Sequence, residues 1–163
     1  MGYEAVLFSP ALVEKYAVSE IVSLNTLTVN YGLVLTPAQA LALTQTRAHA
    51  LVENGRVEFG GGVAGKIIRR FCDSPNMAMH DYEETLHELI EIFYYYKNET
   101  LDLISDDDLI KYMKTVFDGP CMGSLDLLCG RELYNLARNL RFGYAFDYSD
   151  ETYEDMEDEY EEY

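Results

Sequence analysis

The chain contains no tryptophan, so its aromatic packing has to come from 14 Tyr and 7 Phe. Cysteine is scarce: Cys72, Cys121 and Cys129 form no C-x-x-C pair. An odd count without a framework argues against a disulfide-stapled scaffold and for reduced, intracellular thiols. No stretch approaches the ~18 consecutive apolar residues of a membrane span. The opening MGYEAVLFSP has neither a basic n-region nor enough apolar length for a signal peptide. Val6 stands where a myristoylation signal needs Ser or Thr. Together these absences lead us to expect a cytoplasmic protein without membrane contact. Bases are also few, 12 Lys and Arg against 29 Asp and Glu, for a net charge of −17. Direct nucleic-acid binding, which rests on neutralising phosphates with Lys and Arg, is excluded on that balance.

What is present divides unevenly. At 163 residues and 48% hydrophobic composition, the length suits one globular domain. We place that domain at residues 1–146. From Asp147 to Tyr163 there are ten acids and no base, which leaves 19 acids against 12 bases elsewhere, or −7. This low-complexity tract, interrupted by Tyr148, Tyr153, Tyr160 and Tyr163, repels itself and holds too little aliphatic surface to fold alone. The expectation is a disordered acidic tail.

The pattern upstream is helical. Asp81–Lys97, read as DYEETLHELIEIFYYYK, is the stretch around which the rest should pack. Tyr82, Leu86, Leu89, Ile90, Phe93 and the stem of Lys97 recur at helical spacing, with Glu83, Glu84, His87, Glu88 and Glu91 opposite. Asp81 and Glu84 have the spacing of a capping box. Ile92 and Tyr94–Tyr96 make the last turns apolar nearly all round, which predicts enclosure of that end. Other start signals are Ser9-Pro10, Thr36-Pro37 with Gln39 at N3, and Ser105 with Asp108 at N3. Further helices are expected from Pro10 toward Gly32 with a break near Ser19, from Val63 to Cys72, from Ser124 to Cys129, and from Arg131 to Arg141, with Gly130 as separator. Residues 56–62, rich in Gly, read as a short strand or an extended loop. The fold class is therefore all-α, a bundle of about six or seven helices.

Four patterns carry candidate chemistry. Gly60, Gly65 and Lys66 satisfy the G-x-x-x-x-G-K half of a phosphate loop, but Ile67 replaces the Ser or Thr that would hold magnesium. Glu84 and His87, with Glu91 nearby, echo the Glu-x-x-His of di-metal bundles, but no second copy exists. The plainer readings are a glycine that lets two helices approach and a solvated acidic face. Asp106–Asp108 lacks the spacing of a calcium loop and already suits a helix first turn. The tail residues Tyr148, Tyr153, Asp155, Glu157 and Tyr160 could dock on a basic protein, with Tyr supplying contact area. Alternatively the tail folds back over Lys66, Arg69 and Arg70, or over Arg131, Arg138 and Arg141.

The segments YGLVLTPAQA, GRVEFGGG, FCDSPNM, FYYYKNETLDLISDDDLI and GRELYNLARNLRFG resemble a family of uncharacterised bacterial proteins, found mainly in Firmicutes, over about residues 18–145. The resemblance implies a bacterial cytoplasmic protein and brings no activity with it. No catalytic residue is expected and no cofactor. The favoured expectation is a non-enzymatic interaction or adaptor module with a basic protein partner. Its alternative is an acidic inhibitor that mimics nucleic acid before a nuclease or DNA-binding protein. A metal- or nucleotide-binding enzyme stands behind both.

Overall fold

Pro37 has no N–H to lose at a helix start, and Thr36 completes a capping box. The Thr36 hydroxyl accepts from the Gln39 N–H, and the Gln39 side chain accepts from the Thr36 N–H. Such local signals set the elements of the computed structural model, which describes residues 10–58 and 62–144. In order they are α1 (Pro10–Ser23), the single turn α2 (Asn25–Thr28) with a 3-10 turn Val29–Tyr31, and α3 (Pro37–Glu53). Next come α4 (Gly62–Phe71), a 3-10 turn Met79–Asp81, α5 (Tyr82–Glu99) and α6 (Asp106–Asp118). The chain ends with α7 (Leu125–Leu127), a π turn Leu128–Glu132 and α8 (Leu133–Arg141). No strand occurs among the described residues.

Helix α5 is the hub, packing against α3, α4, α6 and α8. Its inward stripe is the expected one, with Tyr82, Leu86, Leu89, Ile90, Phe93 and Lys97 all buried. Each large apolar side chain so enclosed contributes about 1.5–3 kcal/mol relative to exposure. Around it, α6 buries Leu109, Ile110, Met113, Val116 and Phe117, and α8 buries Leu133, Leu136, Ala137 and Leu140. Phe71 of α4 meets Phe117 of α6 edge-on at 5.5 Å. Gly65 lets α4 lie close on α1: a Cβ there would stand 3.0 Å from Glu20 Oε1 and 3.6 Å from Leu24. Ser105 caps α6 by accepting from the Asp108 N–H.

Several expectations need correction. The first helix breaks at Leu24, not near Ser19, and its 3-10 continuation ends at Gly32 with φ +76°. Asp81 makes no capping bond to the start of α5: the preceding 3-10 turn leaves its backbone at φ −128° and ψ 19°, without the extended ψ of the Thr36 and Ser105 caps. Gly130 separates nothing; it lies inside the π turn, and the chain stays helical through it. Residues 56–58 form neither strand nor helix, while 59–61 and the whole stretch 145–163 lie outside the described residues. The end of α5 is only partly enclosed, since Tyr95 is half-exposed.

The end of α5 reverses through two consecutive left-handed residues, Leu101 and Asp102, both with φ +56°. Neither is glycine, so the turn costs about 1–2 kcal/mol per residue. Asp102 offsets that cost by pairing with Arg56 at 2.7 Å and facing Lys97 at 3.5 Å. The reversal also brings the Ile104 carbonyl within 2.6 Å of the Lys97 ammonium.

Candidate functional site

Near its C-terminal end α5 gathers charge inside the fold and satisfies it. Arg47 of α3, almost fully buried, pairs with Glu58 at 3.2 Å. The Tyr94 hydroxyl donates to the same carboxylate at 2.8 Å and accepts from Arg47 Nε at 3.3 Å. Lys97, 5% exposed, donates to the Ile104 carbonyl and pairs with Asp106 at 3.0 Å. Arg56 reaches Asn98 at 2.8 Å, and Asn98 donates to the Asn54 carbonyl at 2.9 Å. The Arg56 hydrogen bond holds the Asp102 carboxyl below its usual pKa. Burial raises the hydroxyls of Tyr94 and Tyr96 well above theirs, and Tyr96 donates to the Cys129 carbonyl of the π turn. These groups hold the bundle together.

His87, midway along α5, bridges to α3. Its Nδ1 lies 2.7 Å from the Thr46 hydroxyl and its Nε2 lies 2.8 Å from Glu83. A hydroxyl, an imidazole and a carboxylate in that order are the parts of a nucleophile, its base and its orienter. Thr46 is inside α3, however, where the neighbouring backbone N–H groups are spent on the helix and do not form an oxyanion-binding pair. The trio acts as a clasp between helices. It also occupies both ring nitrogens, so Glu84, His87 and Glu91 do not converge. No group of three or more His, Cys, Asp or Glu positioned to hold a metal exists among the described residues.

Of the phosphate-loop residues, Gly60 is outside the described residues. Gly65 is within α4, buried against α1. Lys66 is held at 2.8 Å by Asp107, a contact that raises its pKa. The loop's cradle is therefore not assembled from Gly65 and Lys66.

The outward face of α5 is arranged differently. Glu84, Glu88 and Glu91 are all exposed, stand at i, i+4 and i+7, and make no ion pair with a described residue. With a rise of ~1.5 Å per residue they form a ridge roughly 10 Å long. A groove of about 340 Å³ flanks one part of it, lined by Asp81, Glu88 and Asp126 with Asn76, Thr85 and Ser124. A second of about 420 Å³ is lined by Glu53, Glu91, Ile92 and Tyr95. Among the described residues, neither has a base in its wall. The ridge's existence was readable from the sequence as a polar stripe. Of its flanking acids, Glu53 comes from α3 and Asp126 from α7, and no sequence spacing links either to α5.

Most bases are committed elsewhere. Arg47, Arg56, Lys66, Lys97, Lys114, Arg131 and Arg141 all form ion pairs. Arg138 lies over the Phe142 ring at 5.8 Å. The exposed pair Arg69–Arg70 has no ion pair with any described residue. The tail candidates Tyr148, Tyr153, Asp155, Glu157 and Tyr160 lie outside the described residues.

Compared with known proteins, residues 20–146 match the model of DUF6323, a family of unknown function. No curated protein and no solved structure matches the chain.

Proposed function

Because the chain belongs to the DUF6323 family, whose function is unknown, we propose from its geometry that it is a non-enzymatic interaction module of the bacterial cytoplasm. The partner is a protein with a basic surface. The observation that carries this reading is the ridge Glu84, Glu88 and Glu91, exposed and without ion pairs on the helix that anchors the whole bundle. A rigid helix presents such carboxylates already ordered, so binding spends less on fixing them. Acidic grooves beside its first and last parts widen the complementary field, and Tyr95 and Ile92 add contact area there. The acids of residues 147–163 add steering charge to the same surface chemistry.

Mimicry of nucleic acid has less support. The ridge offers one carboxylate about every 5 Å along its axis by helix rise. A single DNA strand offers one phosphate per roughly 3.4 Å of axis. A protein partner with a few spaced Lys or Arg fits the observed density better.

The test is partner recovery by the full chain and by the triple variant Glu84→Gln, Glu88→Gln, Glu91→Gln, at physiological and raised salt. A basic partner retained stoichiometrically by wild type and lost both with the variant and with salt is the expected result. Equal recovery by the two proteins would sink the reading.

A further inference from the structure

Arg69 and Arg70 end α4 on an open groove of about 280 Å³, which is also lined by Lys66, Asp73, Asp107 and Ile110. The groove's acids are already engaged: Asp107 holds Lys66 at 2.8 Å, and Asp73 takes Lys114 at 3.2 Å. The two guanidinium groups are exposed and have no ion pair with a described residue. In a chain of net charge −17 that pairs most of its bases internally, two adjacent unpaired arginines are an exception calling for an anionic occupant.

We propose that the occupant is the acidic segment 147–163 of the same chain. Its ten carboxylates and absence of bases complement the groove. Arginine favours paired, two-pronged bonds to carboxylates, and the segment supplies adjacent acids at Glu154-Asp155, Glu157-Asp158-Glu159 and Glu161-Glu162. Reach is not limiting. The stretch after Tyr144 spans up to about 60 Å when extended, while a domain of this size has a radius of gyration of roughly 14 Å. A tether of this kind gives a local concentration on the order of millimolar, enough to sustain a weak contact. The second basic cluster competes poorly. Arg131 is held by Glu132 and the Pro120 carbonyl, Arg141 by Glu99, and Arg138 by its ring contact. The tail thus rests on α4 and leaves the groove when salt screens the contact. This inference is independent of the ridge on α5 and needs no partner.

Nuclear magnetic resonance of the full chain tests it. At low salt, about 50 mM or below, backbone amides of 147–163 should differ between wild type and Arg69→Gln/Arg70→Gln. Wild type at about 0.5 M salt should then overlay the variant. Reciprocally, Glu157→Gln/Asp158→Asn/Glu159→Gln, which touches only the tail, should shift the Nε–Hε signals of Arg69 and Arg70. Identical tail spectra in wild type and the arginine variant overturn the proposal. So do shifts that grow with protein concentration, which would assign the groove to a second copy's tail. Displacement of the arginine signals by inorganic phosphate with no movement of the tail would make it a small-anion site and also overturn it. The triple Gln variant of the ridge should leave all these signals in place, so the two proposals fail separately.

Discussion

The two flanks of α5 handle charge in opposite ways. Toward its C-terminal end Arg47 and Lys97 are buried, and each meets a carboxylate, with Tyr94 or the Ile104 carbonyl completing the set. On its outward face Glu84, Glu88 and Glu91 stand in solvent with no ion pair to a described residue. A buried charge left alone costs several kcal/mol, so it persists only with partners. An exposed carboxylate costs nothing to leave unpaired, and for that reason stays available to another molecule. Around one helix, then, paired charge marks architecture and unpaired charge marks surface offered outward.

Substitutions should separate the two flanks by size of effect. Phe93→Ala, at a position with no exposure between them, should cost about 3–5 kcal/mol, read as a lower urea midpoint at unchanged slope. Alkaline pH should act next. Burial pushes the Tyr82 hydroxyl up to about 12. In the unfolded chain it ionises near 10. The unfolded state therefore loses its proton first, so stability is whole below pH ~10 and falls by about 3 kcal/mol as pH rises through ~12. Tyr94 and Tyr96 shift the same way and steepen the loss. Unfolding followed from pH 8 upward, about the onset of thiol ionisation, checks it. A flat profile would contradict this account of the inner flank.

Lys97→Met keeps the buried stem but leaves the Ile104 carbonyl without its donor. About 1–3 kcal/mol should be lost, because Asp102 and Asp106 are half-exposed and can turn to water. Tyr82→Phe tests the opposite case. Its hydroxyl is buried without a hydrogen-bond partner, and the neighbouring Thr28 hydroxyl is given to the Leu33 carbonyl. Removing it should leave stability unchanged or raise it by up to about 1 kcal/mol, while reducing the alkaline loss. Smallest is Glu88→Gln on the ridge, within about 0.5 kcal/mol and on the stabilising side, since Glu84 and Glu88 repel at i, i+4. A destabilisation of more than about 1 kcal/mol there would show that the ridge is structural.

The inward stripe of α5 and the caps at Thr36 and Ser105 were legible because each depends on residues within one or two turns. The clasp of Thr46, His87 and Glu83 was not, because its hydroxyl and its imidazole sit 41 positions apart and meet only through packing. The Arg47–Glu58–Tyr94 set was hidden likewise, with Tyr94 36 positions from Glu58 and 47 from Arg47. Leu101 and Asp102 gave no turn signal, because left-handed backbone is ordinarily announced by glycine or asparagine. At Asp81 the spacing was right and the geometry was not, since the preceding 3-10 turn fixed the chain first. The ridge was visible as a polar stripe. That it makes no ion pair with a described residue could be learned only from the packing.

The π turn at Leu128–Glu132 bears on how the length of this chain can vary. The helical run from Leu125 to Arg141 holds one residue more there than α geometry would use, and the widened turn turns the Cys129 carbonyl to the Tyr96 hydroxyl. Nothing lies within 4 Å of where a Cβ on Gly130 would stand, so the extra residue fills no space that the core needs. A chain shortened by that one position would close to α geometry and keep Leu133, Leu136, Ala137 and Leu140 in register with the core. It would lose the acceptor for Tyr96. Insertion and deletion, ordinarily confined to loops, thus have a permitted place inside a packed helix, and a single phenol records which length is present.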